Sequence, residues 1–183
     1  MPCALSLELL AQRSGELAAA GRENLGAPLP GACGTLAAMH SQPPFRIRRA
    51  SWPRDEAALR RVRARVFVAE QGVPEHLEWD GKDPEAVHLI AETAGGLAIG
   101  TARLLPGGRL GRMAVLPAYR GQGVGSALLR QALLAARQQG LGTLRLNAQI
   151  QVVPFYQRFG FETVGERFEE AGIPHQAMRL TVQ

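Results

Sequence analysis

Lysine is almost missing from this chain. Lys82 is the only one, so 20 of the 21 basic residues are arginine. That skew reads as a bias of codon composition as much as selection for a polyanion. The arginines are also spread over several segments rather than massed in one run. A net charge of +5 and a pI near 10.2 favour anionic partners in general, but no nucleic-acid surface is expected. Cysteine is confined to Cys3 and Cys33. A thiol nucleophile or a cysteine-ligated metal is therefore excluded from everything after residue 33. The four histidines and the scattered carboxylates show no ligand spacing, so no metal is expected. No run of about 18 apolar residues occurs, so no helical membrane span is expected. The opening M-P-C-A-L-S-L-E-L-L lacks a basic start and carries Glu8 inside its apolar stretch. That is not the pattern of a signal peptide, and a cytoplasmic protein is expected.

What is present is a globular composition, 46% hydrophobic over 183 residues, ample for the core of one domain. Residues 1–43 stand apart, rich in Ala, Gly, Leu and Pro with no sustained period. They are expected to form a flexible N-terminal extension, with a helix over Leu5–Ala20 as one reading. Met39 as the true start is the other. Regular patterning begins at Phe45 and defines a domain over 44–183. F-R-I-R-R-A alternates as a strand. Asp55–Glu70 carries Leu59, Val62, Val66 and Phe67 on one helical face, with Arg60, Arg61 and Arg65 elsewhere. A polar segment crowded with carboxylates follows, from Gln71 to Glu85. Its acidity hints at a cationic acceptor, or at a solvated loop. V-H-L-I-A-E and A-I-G-T-A-R-L-L are strands joined by A-G-G, and P-G-G leads into R-L-G-R-M-A-V-L. A helix to about Gln139, a strand G-T-L-R-L-N-A-Q, a short helix V-V-P-F-Y-Q-R-F and two closing strands complete the order. A meander followed by a helical crossover predicts an α+β fold, with a mixed, mostly antiparallel sheet flanked by helices.

The informative stretch is R-G-Q-G-V-G at 120–125, directly before an apolar helix striped by Leu128, Leu129, Ala132, Leu133 and Ala136. The first four N–H groups of a helix lack internal partners, and the helix dipole places partial positive charge there. That end is suited to phosphate. Gly121, Gly123 and Gly125 remove the Cβ atoms that would hold a phosphate away, and Arg120 adds charge. The dinucleotide pattern fails, because Ser126 falls where its third glycine should be. The triphosphate loop fails for want of G-K-S or G-K-T. A plain tight turn would not require three glycines and an arginine.

M-A-V-L-P-A-Y-R-G-Q-G-V-G-S-A-L-L resembles the acyl-CoA signature of the GNAT superfamily of N-acetyltransferases, with Arg120, Gly123 and Gly125 at its defining positions. F-Y-Q-R-F-G-F at 155–161 resembles that superfamily's later helix-to-strand element. V-F-V-A-E-Q-G-V-P, E-W-D-G-K-D, L-N-A-Q and G-I-P-H-x-x-M are similar to segments of an ElaA-like subgroup. The resemblance spans roughly residues 45–182. It implies an N-acetyltransferase with acetyl-CoA as co-substrate and an unidentified amine as acceptor, a homodimer being left open. It implies CoA contacts from Met113, Ala114, Val115, Arg120, Gly121, Gln122, Gly123, Val124, Gly125 and Ser126. Asn147 would position a water or a pantetheine amide, unless it is a plain polar strand end. Tyr156 would donate a proton to the leaving thiolate, unless it is a packed aromatic.

No glutamate stands on the strand before the glycines, where several family members carry their base. Glu70, Asp80, His88 and His175 are the alternatives, the two histidines having a suitable intrinsic pKa; an amine that arrives neutral needs none. A non-catalytic acyl-CoA sensor with the same fold is the rival reading.

Overall fold

The computed structural model describes residues 44–182. The expectations for residues 1–43, both the helix over Leu5–Ala20 and the flexible extension, lie outside that range. Seven strands form one sheet: β1 (Phe45–Ala50), β2 (Val87–Thr93), β3 (Ala98–Leu105), β4 (Arg109–Val115), β5 (Thr143–Gln149), β6 (Glu162–Glu170) and β7 (Ile173–Thr181). The helices are α1 (Glu56–Arg63), α2 (Glu75–Glu78), α3 (Val124–Gln138) and α4 (Val153–Gln157). The sheet order is β1-β2-β3-β4-β5-β7-β6. Every neighbouring pair is antiparallel except β4 with β5, which run parallel. A parallel pair needs a crossover, and α3 supplies it.

Two apolar layers sandwich the sheet. On one side Leu128, Leu129, Ala132 and Ala136 of α3 pack against Leu89, Leu104, Met113 and Leu146. On the other side Leu59, Val62, Val66 and Phe67 pack against Ile90, Ala98 and Ala114. Adjacent residues such as Leu89 and Ile90 therefore enter different layers. This is why β2 reads as a nearly continuous apolar run and is buried on both faces. The helix expected over Asp55–Glu70 is there, but it widens from α1 into a π-type segment at Ala64–Glu70. The final hairpin runs longer than the strand-like stretches F-E-T-V-G-E and H-Q-A-M-R-L-T-V that the sequence offers for it. β6 continues to Glu170 past a bulge between Val164 and Arg167, where Gly165 takes φ 67°.

The acidic segment corrects an expectation. Glu75 and Glu85 are exposed, as a solvated loop would have them, but Glu78, Asp80 and Asp83 turn inward and are spent on arginines of the fold rather than left for a cationic ligand. Arg63 Nε lies 2.6 Å from Glu78 Oε1, and Arg63 Nη1 lies 2.7 Å from Asp83 Oδ1. Arg103 grips Asp80 with two bonds of 2.7 Å and reaches Asp83 at 3.0 Å. Arg112 Nε stands 2.8 Å from Glu78 Oε2. Three guanidiniums and three carboxylates balance one another out of water, which is the condition under which buried charge is tolerated. Burial alone would raise the Asp80 and Asp83 carboxyls. The Arg103 and Arg63 guanidiniums more than offset it and hold both below the usual carboxylate range.

Candidate functional site

β4 and β5 meet at one end only. Arg109 opposite Arg145 is their sole register pair among the described residues, secured by Arg145 N donating to Gly108 O at 2.9 Å. Gly108 makes this apex. Its φ is 85°, and a Cβ there would strike the Thr143 carbonyl oxygen. Past the apex the strands diverge, so the β5-facing backbone groups along Leu110–Val115 are left without a ladder partner. A bulge sharpens the departure. Arg112 and Met113 together oppose Ala102, Arg112 sits at φ 48°, and Thr101 Oγ1 donates to its carbonyl at 3.0 Å.

The wide end of this V faces the start of α3. Pro117–Tyr119 form a single tight turn, then Gly121 (φ 72°) and Gly123 (φ 83°) adopt left-handed conformations. Nothing lies within 4 Å of a Cβ built on either. The first N–H here to find an acceptor is that of Ala127, on Gly123 O at 3.0 Å. Among the described residues, the N–H groups of Gly121, Gln122, Gly123, Val124, Gly125 and Ser126 have none. Gln122 directs its amide to Ala118 O, clear of them. This is a cradle of peptide donors at the positive end of a 15-residue helix. Arg120 does not stand alone at its entrance as the sequence suggested. Its Nη1 and Nη2 lie 2.8 and 2.6 Å from the two oxygens of Glu70, and its Nε donates to Val115 O at 3.0 Å.

Tyr156 lies under the V. It is fully buried, and its hydroxyl is 3.7 Å from Met113 Sδ on β4. The ring is fixed edge-on by Phe155 and Phe161, with centroids 5.0 and 5.7 Å away. Met113 and Val115 face the α3 layer and Ala114 the α1 layer. Asn147 is on β5, its Nδ2 donating to Glu170 Oε2 at 3.0 Å. Two residues further along, on the same face, Gln149 donates to Gln71 Oε1 at 3.1 Å, bridging β5 to the end of the π-type segment.

Three of the four base candidates are engaged elsewhere. Glu70 is committed to Arg120. Asp80 is clamped by Arg103 in the ionic cluster, which weakens it as a base. His88 sits on β2, two strands from β4, stacked on Trp52 at 5.2 Å with Nε2 2.8 Å from Asp83 O. Its burial lowers its pKa. His175 is different: it lies on β7 directly opposite Gln149 and is fully buried. The pairing of Gln71 with Gln149 escaped the sequence reading, because a contact 78 residues apart leaves no local pattern. Among the described residues, no group of His, Cys, Asp and Glu could hold a metal ion. None of the described helices is long and apolar enough to cross a membrane.

Comparison with known proteins agrees with this geometry. Residues 53–182 match the family described as the acetyltransferase (GNAT) domain. The Bacillus subtilis protein named "Uncharacterized N-acetyltransferase YjcF" is 38% identical over 120 residues, covering 64% of this chain and 86% of that one. Among solved structures, an acyl-CoA N-acyltransferase from Pseudomonas aeruginosa is 33% identical with a TM-score of 0.64, covering 74% of this chain and 97% of its own. Escherichia coli ElaA is 29% identical with a TM-score of 0.65 and the same coverage.

Proposed function

The chain belongs to the GNAT acetyltransferase family, and from that premise we propose that it transfers the acetyl group of acetyl-CoA to an amine. The observation that carries the proposal is the run of unpartnered N–H groups from Gly121 to Ser126 at the head of α3, beside a strand whose facing edge is unpaired. The cradle fits a pyrophosphate in charge and in the space left by missing Cβ atoms. The β4 edge at Met113, Ala114 and Val115 lacks a ladder with β5 and fits an amide-bearing arm through main-chain bonds, with the Val115 carbonyl already held by Arg120. Asn147 borders the same opening from β5.

The chemistry follows from that placement. The amine's lone pair attacks the thioester carbonyl carbon, the C–N bond forms, and the C–S bond breaks. The leaving sulfur needs a proton, and the Tyr156 phenol, buried beneath the opening, is the donor. Burial away from water raises the benefit of delivering that proton from a fixed group. The transferase domain is proposed to occupy residues 44–183, as a cytoplasmic protein without a metal.

The test is release of free thiol from acetyl-CoA with a panel of small amines and peptide amines, with products identified by mass spectrometry. An acetylated amine that forms only with active protein supports the reading. CoA binding without thiol release from any amine would instead indicate an acyl-CoA sensor.

A further inference from the structure

His175 has an atom that the fold does not use. Its Nδ1 is 2.7 Å from Ile173 O. A carbonyl can only accept, so Nδ1 carries the proton and Nε2 carries a lone pair. Nε2 is buried and has no hydrogen-bond partner among the described residues. Folded proteins rarely leave such an acceptor empty, because it has lost water and gained nothing in return. Burial also pushes this imidazole's pKa below its ordinary value, and the Ile173 carbonyl only partly opposes that, so the ring is neutral near pH 7.

The direction of that lone pair is set by the sheet. Leu146, Ala148 and Met178 pack into the α3 layer. The alternate residues Asn147, Gln149 and His175 therefore face the opposite, α1 side. Gln149 opposes His175 in register, and Phe168 of β6 stacks on the ring with centroids 6.0 Å apart. Ala171 and Ile173, from the β6–β7 turn, pack against the α1 cluster. Tyr156, by contrast, belongs to the α3 layer. The two groups thus flank the β4–β5 opening from opposite faces. Charged groups on the His175 side include Glu170 of β6, bonded to Asn147, Glu70, paired with Arg120 at the end of the π-type segment, and, further along the same face, Arg145 and Arg179.

Resting on the transferase reading above, we propose that His175 Nε2 accepts the proton of the acceptor, a primary amine that is cationic in solution. The amine enters on the α1 face between Gln71, Gln149 and the β6–β7 turn. The step balances. R–NH3+ gives one proton to Nε2, the freed lone pair attacks the thioester carbon, and the imidazolium loses its proton to solvent along the amine's entry path as the product leaves. A second N–H proton is lost as the amide forms, and one proton reaches sulfur from Tyr156, which is then reprotonated. The products are the amide, CoA thiol and one released proton.

Two measurements on the full chain test this. The first is nuclear magnetic resonance of histidine ring nitrogens with CoA present and ethylamine added as probe. The His175 ring signals move with ethylamine and those of His88 do not. A His175 ring that ignores the amine while CoA is bound overturns this inference alone, whereas failure of CoA to bind overturns the transferase reading itself. The second uses His175→Asn, whose side-chain NH2 can keep the bond to Ile173 O. Thiol release with ethylamine, ionised at pH 7, falls by about a hundredfold or more. With 2,2,2-trifluoroethylamine, largely neutral there, it falls far less, and CoA affinity is unchanged. Equal losses with both amines, or no loss with ethylamine, would show His175 to be structural.

Discussion

Glu70 and Arg120 are fifty residues apart, yet they close a two-bond ion pair of 2.8 and 2.6 Å at the lip of the glycine cradle. The sequence suggested separate tasks for them, one as a base and the other as a phosphate contact. Their pairing ties the end of the π-type segment to the cradle, while Gln71, the next residue, ties it to β5. One short stretch of backbone thus touches both sides of the opening.

A negative charge this close to a polyphosphate site opposes the ligand. Glu70→Gln keeps the size of the side chain and frees the guanidinium, and CoA should bind about fivefold more tightly at low salt, the scale of a part-exposed charge pair. Titration calorimetry at two salt concentrations checks it. Weaker binding would mean that the pair's bracing of the loop outweighs its charge.

Tyr156→Phe removes one oxygen from a packed ring and leaves the Phe155 and Phe161 contacts in place. Turnover should fall by about a hundredfold, within the range for a proton donor, with CoA affinity nearly unchanged. Steady-state kinetics alongside calorimetry separate the two quantities. Equal losses in both would point to a packing role only.

The ionic cluster should make the protein acid-sensitive. The carboxyls of Asp80 and Asp83 are held below their ordinary values in the folded state, so their contribution is complete above the unfolded value. It is lost as pH falls through the lowered one. Thermal melting should therefore begin to fall below about pH 6.5, where the unfolded chain protonates His88 and His175 while burial keeps both neutral in the fold, and fall further below about 4 as the carboxylates protonate. Arg103→Ala removes both short bonds to Asp80 and one of the two guanidiniums on Asp83, and should cost about 3–5 kcal/mol, read by urea unfolding.

Gly108→Ala should also destabilise the fold, because the added methyl is driven into the Thr143 carbonyl at the apex of the V. A melting temperature equal to wild type would remove Gly108 from the account of how β4 and β5 part.

The sequence carried the helix-head glycines plainly, since their purpose is local: missing Cβ atoms next to a helix start. It carried the strand order less well. P-G-G before β4 reads as an ordinary turn, and only the approach of Thr143 to Gly108 shows that it sets the opening. The acidic segment was only partly legible for a related reason. Arg63, Arg103 and Arg112 come from three different elements, so the cancellation of Glu78, Asp80 and Asp83 is invisible until the chain is folded. His175 was one candidate among several until its neighbours showed which of its nitrogens is spoken for.

The central claim is that bare peptide donors at the head of α3 hold the polyphosphate of CoA. Gly125 is the residue to alter, because it lies in the first turn of α3 without the left-handed backbone that would strain a side chain at Gly121 or Gly123. Calorimetric titration of CoA into the wild type and Gly125→Val, with melting curves for both, is the direct measurement. Saturable heat in the wild type and none in an equally stable variant is the predicted result. A wild type that gives no heat, or a variant that binds CoA as well as the wild type does, would contradict it.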